Sequence, residues 1–258
     1  MNKILKAKNI TFGYSRGANI LNSFNLSLKQ GEFAGLIGPS GAGKSTVFRI
    51  LSGYSEPNGG IVEIDGLNSK HLTQRERAGI MAVVPQFVFT PIPYTVRQIV
   101  EMGRISRLSR FSSLSWRDKE CVSEALEKMN VSQYANSLFS HISGGEKQRV
   151  MIATALAQEP KILLLDEPTS FLDIGHSSQL MKLLTELNQE SNITVLIISH
   201  DIQLAGRYCS RLTLIKEGAA LADGATESVL TPELIEEAYN CKVDVIKDKN
   251  GKLLLSPE

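Results

Sequence analysis

The stretch GPSGAGKST, residues 38 to 46, sets three glycines beside a lysine and hydroxyl side chains. It fits G-x-x-x-x-G-K-[ST], with Gly38, Gly43, Lys44 and Ser45 at the fixed positions. Glycines let backbone N–H groups close around phosphate oxygens, and a helix opening near Lys44 points its positive dipole end at the same anion. Lys44 is the candidate to reach the β and γ phosphates, and the Ser45 hydroxyl is a hard oxygen ligand suited to Mg²⁺. Further along, KILLLDEPTSFLD sets Asp166 and Glu167 at the carboxyl end of an apolar strand, the edge at which open parallel sheets bind ligands. Asp166 suits Mg²⁺ through a bound water. Glu167 is the candidate general base for the water that attacks the γ phosphate, or at least its orienting group. His200, after ITVLIIS, is placed to contact the γ phosphate and to hold Glu167 and water. Gln86, after MAVVP, offers an amide to Mg²⁺ or to water. Taken alone, His200 would be a surface histidine at a turn and Gln86 a polar strand end.

A second glycine-rich helix start, HISGGEKQR at 141 to 149, asks a different question. Ser143 and Glu146 have the spacing of a capping box, which accounts for the ends of SGGE but not its middle. Gly144 and Gly145 fall in the first turn, where glycine costs up to ~1 kcal/mol relative to alanine. Bare backbone there suits the close approach of an anion. Since one phosphate cradle is already present, the second is expected to serve a nucleotide held by another copy.

Elements of two periods must position these residues. ILKAKNITF and ILNSFNLSL alternate apolar and polar residues as half-exposed strands do, and IVEIDG is a strand closed by an Asp-Gly turn. EFAGLIG, IMAVVPQ, KILLLDEP and NITVLIISH are apolar runs that read as buried strands. Helices are expected from about Lys44 to Leu51, within Tyr94 to Gln158, at HSSQLMKLLTELNQ and at DIQLAGRYC. RLTLIKEG reads as another strand. TPELIEEAY is a helix capped by Thr231 with Pro232 in its first turn, and VDVIKDKNGKLLL a hairpin about an Asn-Gly turn. Strands alternating with helices predict an α/β protein with a mostly parallel sheet covered on both faces. Added to this are an N-terminal antiparallel β part, an α-helical insertion at about 90–158, and a C-terminal helix and hairpin at about 226–258, all within one domain of residues 1–258.

The 258 residues are 42% hydrophobic and 21% charged, enough apolar material for a sizeable core. A net charge of +1 gives no field that would draw nucleic acid or anionic lipid. Cys121, Cys209 and Cys241 are scattered and odd in number, which predicts reduced thiols. The start has too short an apolar run for a signal peptide, and no stretch approaches the ~18 apolar residues of a membrane helix. GRISRLSRFSSLSWRD, with Arg104, Arg107, Arg110 and Arg117 among serines, reads as a solvated loop.

In combination these motifs resemble the ATP-binding cassette ATPases. The phosphate loop, Gln86, ISGGEKQR, ILLLDEP, SFLD and His200 occur in that family's order and rough spacing over nearly the whole chain. The resemblance implies a P-loop NTPase core that uses ATP and Mg²⁺. ATP would lie on Gly38, Pro39, Ser40, Gly41, Ala42, Gly43, Lys44, Ser45 and Thr46, with Tyr14 stacked on adenine. It also implies a head-to-tail pair of cassettes, a homodimer, in which Ser143, Gly144 and Gly145 meet the partner's γ phosphate and Asp173 lies at the dimer seam. Glu167, His200, Gln86 and Lys44 would carry catalysis, and Ser45, Gln86 and Asp166 would attend Mg²⁺. Two residues depart from the pattern: Ile142 where leucine is usual, and Phe171 where a small residue is usual.

YTVRQIVEMGR, LDIGH and TPELIEEAYNCKVDVI resemble the ATPase subunits of iron-siderophore, haem and cobalamin importers. That likeness implies a many-helix permease as partner, with a short permease helix received beside Gln86, and a substrate-binding protein outside the membrane. The location implied is the cytoplasmic face of the cell membrane, and nucleic acid is not an expected partner. A soluble ATPase of iron–sulfur cofactor assembly is the alternative within the same family.

Overall fold

The computed structural model describes residues 3–14, 17–86, 92–108, 112–248, 251 and 253–257. They form two compact units, Met1–His71 with Thr194–Glu258, and Leu72–Ile193. In chain order the elements are β1 (Lys3–Phe12), β2 (Leu21–Lys29), β3 (Phe33–Ile37), α1 (Lys44–Ser52), β4 (Gly59–Ile64), β5 (Leu67–Asn68), α2 (Gln74–Ile80), β6 (Met81–Val84), α3 (Val96–Met102), α4 (Trp116–Lys128), α5 (Gly144–Leu156) and β7 (Ile162–Asp166). There follow α6 (Ile174–Ser191), β8 (Thr194–Ile198), α7 (Ile202–Tyr208), β9 (Arg211–Lys216), β10 (Ala219–Ala225), α8 (Thr226–Val229), α9 (Pro232–Tyr239), β11 (Val243–Lys247) and β12 (Leu253–Pro257).

In the first unit, β1 pairs antiparallel with β2 and with β4, and β4 with β5, so the N-terminal strands close an antiparallel sheet. Their alternation buries Leu5 and Ala7 on one face, as the two-residue period requires, and past a register shift between Ala7 and Ile10 β1 buries Ile10 and Phe12. Beside it β3 pairs parallel with β8 and with β9, while β10 returns antiparallel along β9. Every residue of β3 and β8 is buried, which explains their unbroken apolar runs. The Asn-Gly hairpin forms as β11 against β12, with Val245 opposite Leu255; residues 249 and 250 of its turn lie outside the described ones.

In the second unit β6 and β7 pair in parallel, with Met81 opposite Ile162 and Val84 opposite Leu165. The helices α3, α4 and α5 lie between these strands in the chain, so the insertion is helical as expected. Val122, Leu126, Val150 and Ile152 of α4 and α5 are buried within it. The architecture is α/β, with parallel pairing in both units and an antiparallel N-terminal sheet.

The arginine-rich segment is a correction. Arg104 is 4% exposed; its Nε donates to Asp118 at 2.8 Å, and Nη1 donates to the Ala157 carbonyl at 2.6 Å and to Glu159 at 2.9 Å. Arg107 Nε and Nη2 donate to the Gln158 carbonyl at 2.9 and 2.8 Å. These guanidinium groups satisfy carbonyls at the end of α5, where a helix exposes unpaired oxygens and its negative dipole end. Asp118 also closes the capping box of α4 with Ser115. The Ser115 hydroxyl and amide, then Arg104, hold its carboxyl down at about 2. Arg117 pairs with Glu120 at 2.8 Å, and Arg110 lies outside the described residues. Sequence spacing could not show this arrangement, because the acceptors lie some fifty positions away.

Cys121 and Cys209 are buried free thiols and Cys241 an exposed one. Among the described residues no helix is long and apolar enough to cross a membrane.

Candidate functional site

The first unit carries the phosphate loop. Buried β3 delivers the chain to it, and α1 begins at Lys44 on the far side. Gly43 caps α1 with φ 106° and no side-chain cap bond. A Cβ there would stand 2.9 Å from Leu21 Cδ2, so both conformation and space demand glycine. Lys44 is 7% exposed and its ammonium donates to the carbonyls of Gly38 at 2.6 Å and Pro39 at 2.9 Å. The Ala42 N–H turns back to Pro39 O at 3.2 Å, and Ala42 O accepts from Gly218 N–H at 3.0 Å. The loop is thus tied from within and to the turn after β9. Ser40, Gly41 and Ser45 are exposed on it, while Gly38 and Thr46 are buried.

Tyr14 is 59% exposed, packs edge-on against Phe12 at 4.9 Å, and its hydroxyl accepts from Arg49 of α1 at 3.3 Å. His200 is exposed between buried Ser199 and half-buried Asp201. Ser199 Oγ accepts from the Asp201 N–H at 3.0 Å, and Asp201 caps α7 by accepting from Leu204 N–H at 2.9 Å. Sequence reasoning missed Tyr239, from α9. Its buried phenol is pushed up by burial, with the backbone of Gly38 acting in the opposite direction. No local sequence signal links residue 239 to residue 38.

The second unit brings Gln86 and Glu167 together. Gln86 Nε2 donates to Glu167 Oε2 at 2.9 Å, which leaves the amide oxygen of Gln86 for another partner. Glu167 follows directly on Asp166, the last residue of β7, and has φ 46°. A non-glycine residue in that region costs about 1–2 kcal/mol. Ser170 Oγ secures the turn by donating to the Glu167 carbonyl at 3.0 Å. The strain is local, and it sets the carboxylate at the strand's carboxyl end under the Gln86 amide.

The capping box of α5 forms: the Ser143 side chain accepts from Glu146 N–H at 3.3 Å, and Glu146 accepts from Ser143 N–H at 2.7 Å. The Tyr134 hydroxyl first, and Ser143 after it, lower the Glu146 pKa. A Cβ at Gly145 would touch Leu172 at 3.4 Å, whereas one at Gly144 would meet nothing within 4 Å. The start of α5 therefore lies beside the SFLD segment. Phe171 is 63% exposed there. Asp173 caps α6, accepting from His176 N–H at 2.8 Å with His176 Nδ1 at 2.7 Å, and these contacts hold its carboxyl below the usual range. A groove of about 210 Å³ runs past Gln86, Gly144, Met151, Pro168 and Phe171, so the space expected beside Gln86 exists.

Comparison with known proteins gives these features their family. Residues 21–170 match the family described as ABC transporter. The ferric enterobactin transport ATP-binding protein FepC of Escherichia coli is 36% identical over 244 residues, covering 95% of this chain and 90% of its own. The cobalamin import ATP-binding protein BtuD of Halobacterium salinarum is 37% identical over 93% of this chain and 60% of its own. A solved dimeric ATP-binding cassette in a post-hydrolysis state, bound to ADP and Pi, superposes with a TM-score of 0.76 at 33% identity, over 86% of this chain and 98% of that one. With more than half of its length in the family match and a relative of this identity along nearly all of it, the chain belongs to the ABC transporter family of ATP-binding cassettes.

Proposed function

We propose that this cassette is the ATP-hydrolysing subunit of an importer for iron-siderophore or cobalamin-type cargo. The cargo class follows the relatives, which are named for ferric enterobactin and cobalamin. The hydrolytic reading leans on one observation above others: a carboxylate in a strained backbone conformation at a strand end, with the Gln86 amide on one of its oxygens.

ATP is bound with its phosphates on residues 38–46 and its adenine against the exposed ring of Tyr14. Lys44 turns from its loop carbonyls to the phosphate oxygens, a charge-assisted contact stronger than those it leaves. Glu167 receives a proton from the attacking water or orients it, and Gln86 holds the Glu167 carboxylate in place. His200 contacts the γ phosphate. The Ser45 hydroxyl, the Asp166 carboxylate and the free amide oxygen of Gln86 are hard oxygen donors of the kind Mg²⁺ takes. When bound, the ion neutralises charge on the phosphate oxygens.

Ser143, Gly144 and Gly145 act on the nucleotide of a second copy, head to tail, with Asp173 at the seam. The open space over Gly144 supports this, since nothing among the described residues requires glycine there. A multi-helix permease seats a short helix in the groove beside Gln86, at the cytoplasmic face of the membrane, and a substrate-binding protein delivers cargo on the other side. No observation favours a role in iron–sulfur cofactor assembly.

The test is purification from native membranes with Glu167→Gln. The expected result is a complex holding ATP, a cassette dimer and a permease of many apolar helices. Recovery of a soluble assembly complex instead, or turnover near the normal rate, would overturn the reading.

A further inference from the structure

The C-terminal hairpin grips the helix that follows His200. Gln203, in the first turn of α7, is exposed, yet both ends of its amide are used. Its Nε2 donates to the Leu255 carbonyl at 2.7 Å, and its Oε1 accepts from the Leu255 N–H at 3.2 Å. Within the hairpin Leu255 stands opposite Val245, and its own N–H and carbonyl turn outward to Gln203. A side chain thus extends the ladder of β12 by one rung on its outer edge, where unpaired strand groups are otherwise left to solvent. The hairpin has a second tie: Lys247 of β11 pairs with Glu227 of α8 at 3.0 Å.

We propose that Gln203 is a positioning residue for His200, with the β11–β12 hairpin as the fixed point it holds. The proposal rests on the reading of His200 as a γ-phosphate contact. Two residues, Asp201 and Ile202, lie between His200 and Gln203, and hydrogen bonds hold the backbone around these residues. Ser199 is buried and accepts from Asp201 N–H, and Asp201 accepts from Leu204 N–H. Displacement of the first turn of α7 therefore carries His200 with it. α7 is seven residues long and buries only Ala205 and Gly206, so its own packing lends its first turn little rigidity. A two-point amide bond to an outside strand supplies that rigidity.

The experiment is a double-mutant cycle on the full chain, following ATP hydrolysis with His200→Ala, Gln203→Ala and both together. Gln203→Ala is expected to lower kcat by about 5- to 20-fold, a misplacement effect, with KM for ATP within about twofold. In the His200→Ala background it should change kcat by less than about twofold, because the group it positions is gone. Thermal unfolding of the single variant should stay within about 3 °C of the parent, as for other exposed changes. A hairpin contact that is merely structural would lower kcat by the same factor in both backgrounds, and that outcome, or a Gln203→Ala rate equal to the parent's, overturns the proposal. If His200→Ala itself hydrolyses ATP at the parent rate, the role of His200 falls first and the positioning role with it.

Discussion

The two glycine-rich helix starts are built in opposite ways. At α1 the cap is a glycine with φ 106°, no side chain caps the helix, and the adjoining lysine is buried on the loop's own carbonyls. At α5 a complete capping box is present, and the glycine behind the cap has free space over its Cα. The first start is shaped by its own chain, since Gly43 is required by Leu21 and by a left-handed backbone. The second is already satisfied as a helix terminus, Gly145 faces Leu172, and no described residue comes within 4 Å of a Cβ at Gly144, which leaves room for the ligand proposed above. One terminus is a cradle and the other a surface, although the residue types are nearly the same.

The largest expected effect comes from Glu167→Gln. Losing a base or water-orienting group lowers kcat by about 10²- to 10⁴-fold, while both helix starts stay intact. ATP should remain bound and a dimer should accumulate, which gel filtration with ATP would resolve. A variant that holds ATP but stays monomeric would leave the α5 start without a ligand and break the comparison at its second term.

Lys44→Ala follows. Removing a charged donor from phosphate is worth about 1.5–3 kcal/mol, or about 10- to 150-fold in affinity. Nucleotide affinity by calorimetry checks this. If α5 were a cradle of the same kind, affinity would survive the change.

A matched pair sharpens the contrast further. Gly43→Ala puts a side chain in the left-handed region at about 1–2 kcal/mol, with a 2.9 Å contact in addition, so the melting temperature should fall. Gly144→Ala enters free space at a helical position, where alanine is preferred by up to ~1 kcal/mol. Its melting temperature should hold or rise while ATP hydrolysis falls. Unchanged hydrolysis in Gly144→Ala would mean that nothing approaches that backbone.

The same contrast explains what could be read from the sequence. The phosphate loop was legible because its glycine requirement is local: the motif and the apolar spacing of α1 state it together. The capping box at Ser143 was legible for the same reason. β10 was not, because AALADGA has no β-branched residue and only Leu221 as a large apolar one, and it becomes a strand by pairing with β9. α2 was missed because QRERAGI buries no residue. Its one signal was TQRE, a capping box at Thr73 and Glu76 that forms as spaced. The pairing of Glu167 with Gln86 and the anchoring of α5 by Arg104 and Arg107 depend on distant partners, and no window of sequence contains them.

The smallest effect separates the cap of α5 from its proposed ligand. Glu146 has its pKa lowered in the folded chain, by Tyr134 first and by Ser143 after it. Its contribution to stability is therefore fully present above the unfolded carboxyl value of ~4.3 and is lost as pH falls through the lower folded value. Glu146→Gln keeps a capping-box side chain but carries no charge and does not titrate. At neutral pH the variant should be weaker by about 0.3–1 kcal/mol, the usual worth of a carboxylate at a helix N-terminus. As pH falls through the lowered folded value the gap should close, because the parent then loses its charge as well. Urea unfolding at pH 7, 5, 4 and 3 measures it. A gap that stayed constant with pH would mean that Glu146 acts at α5 as a hydrogen-bonding cap alone, and its charge would then be free to act on whatever anion approaches Gly144.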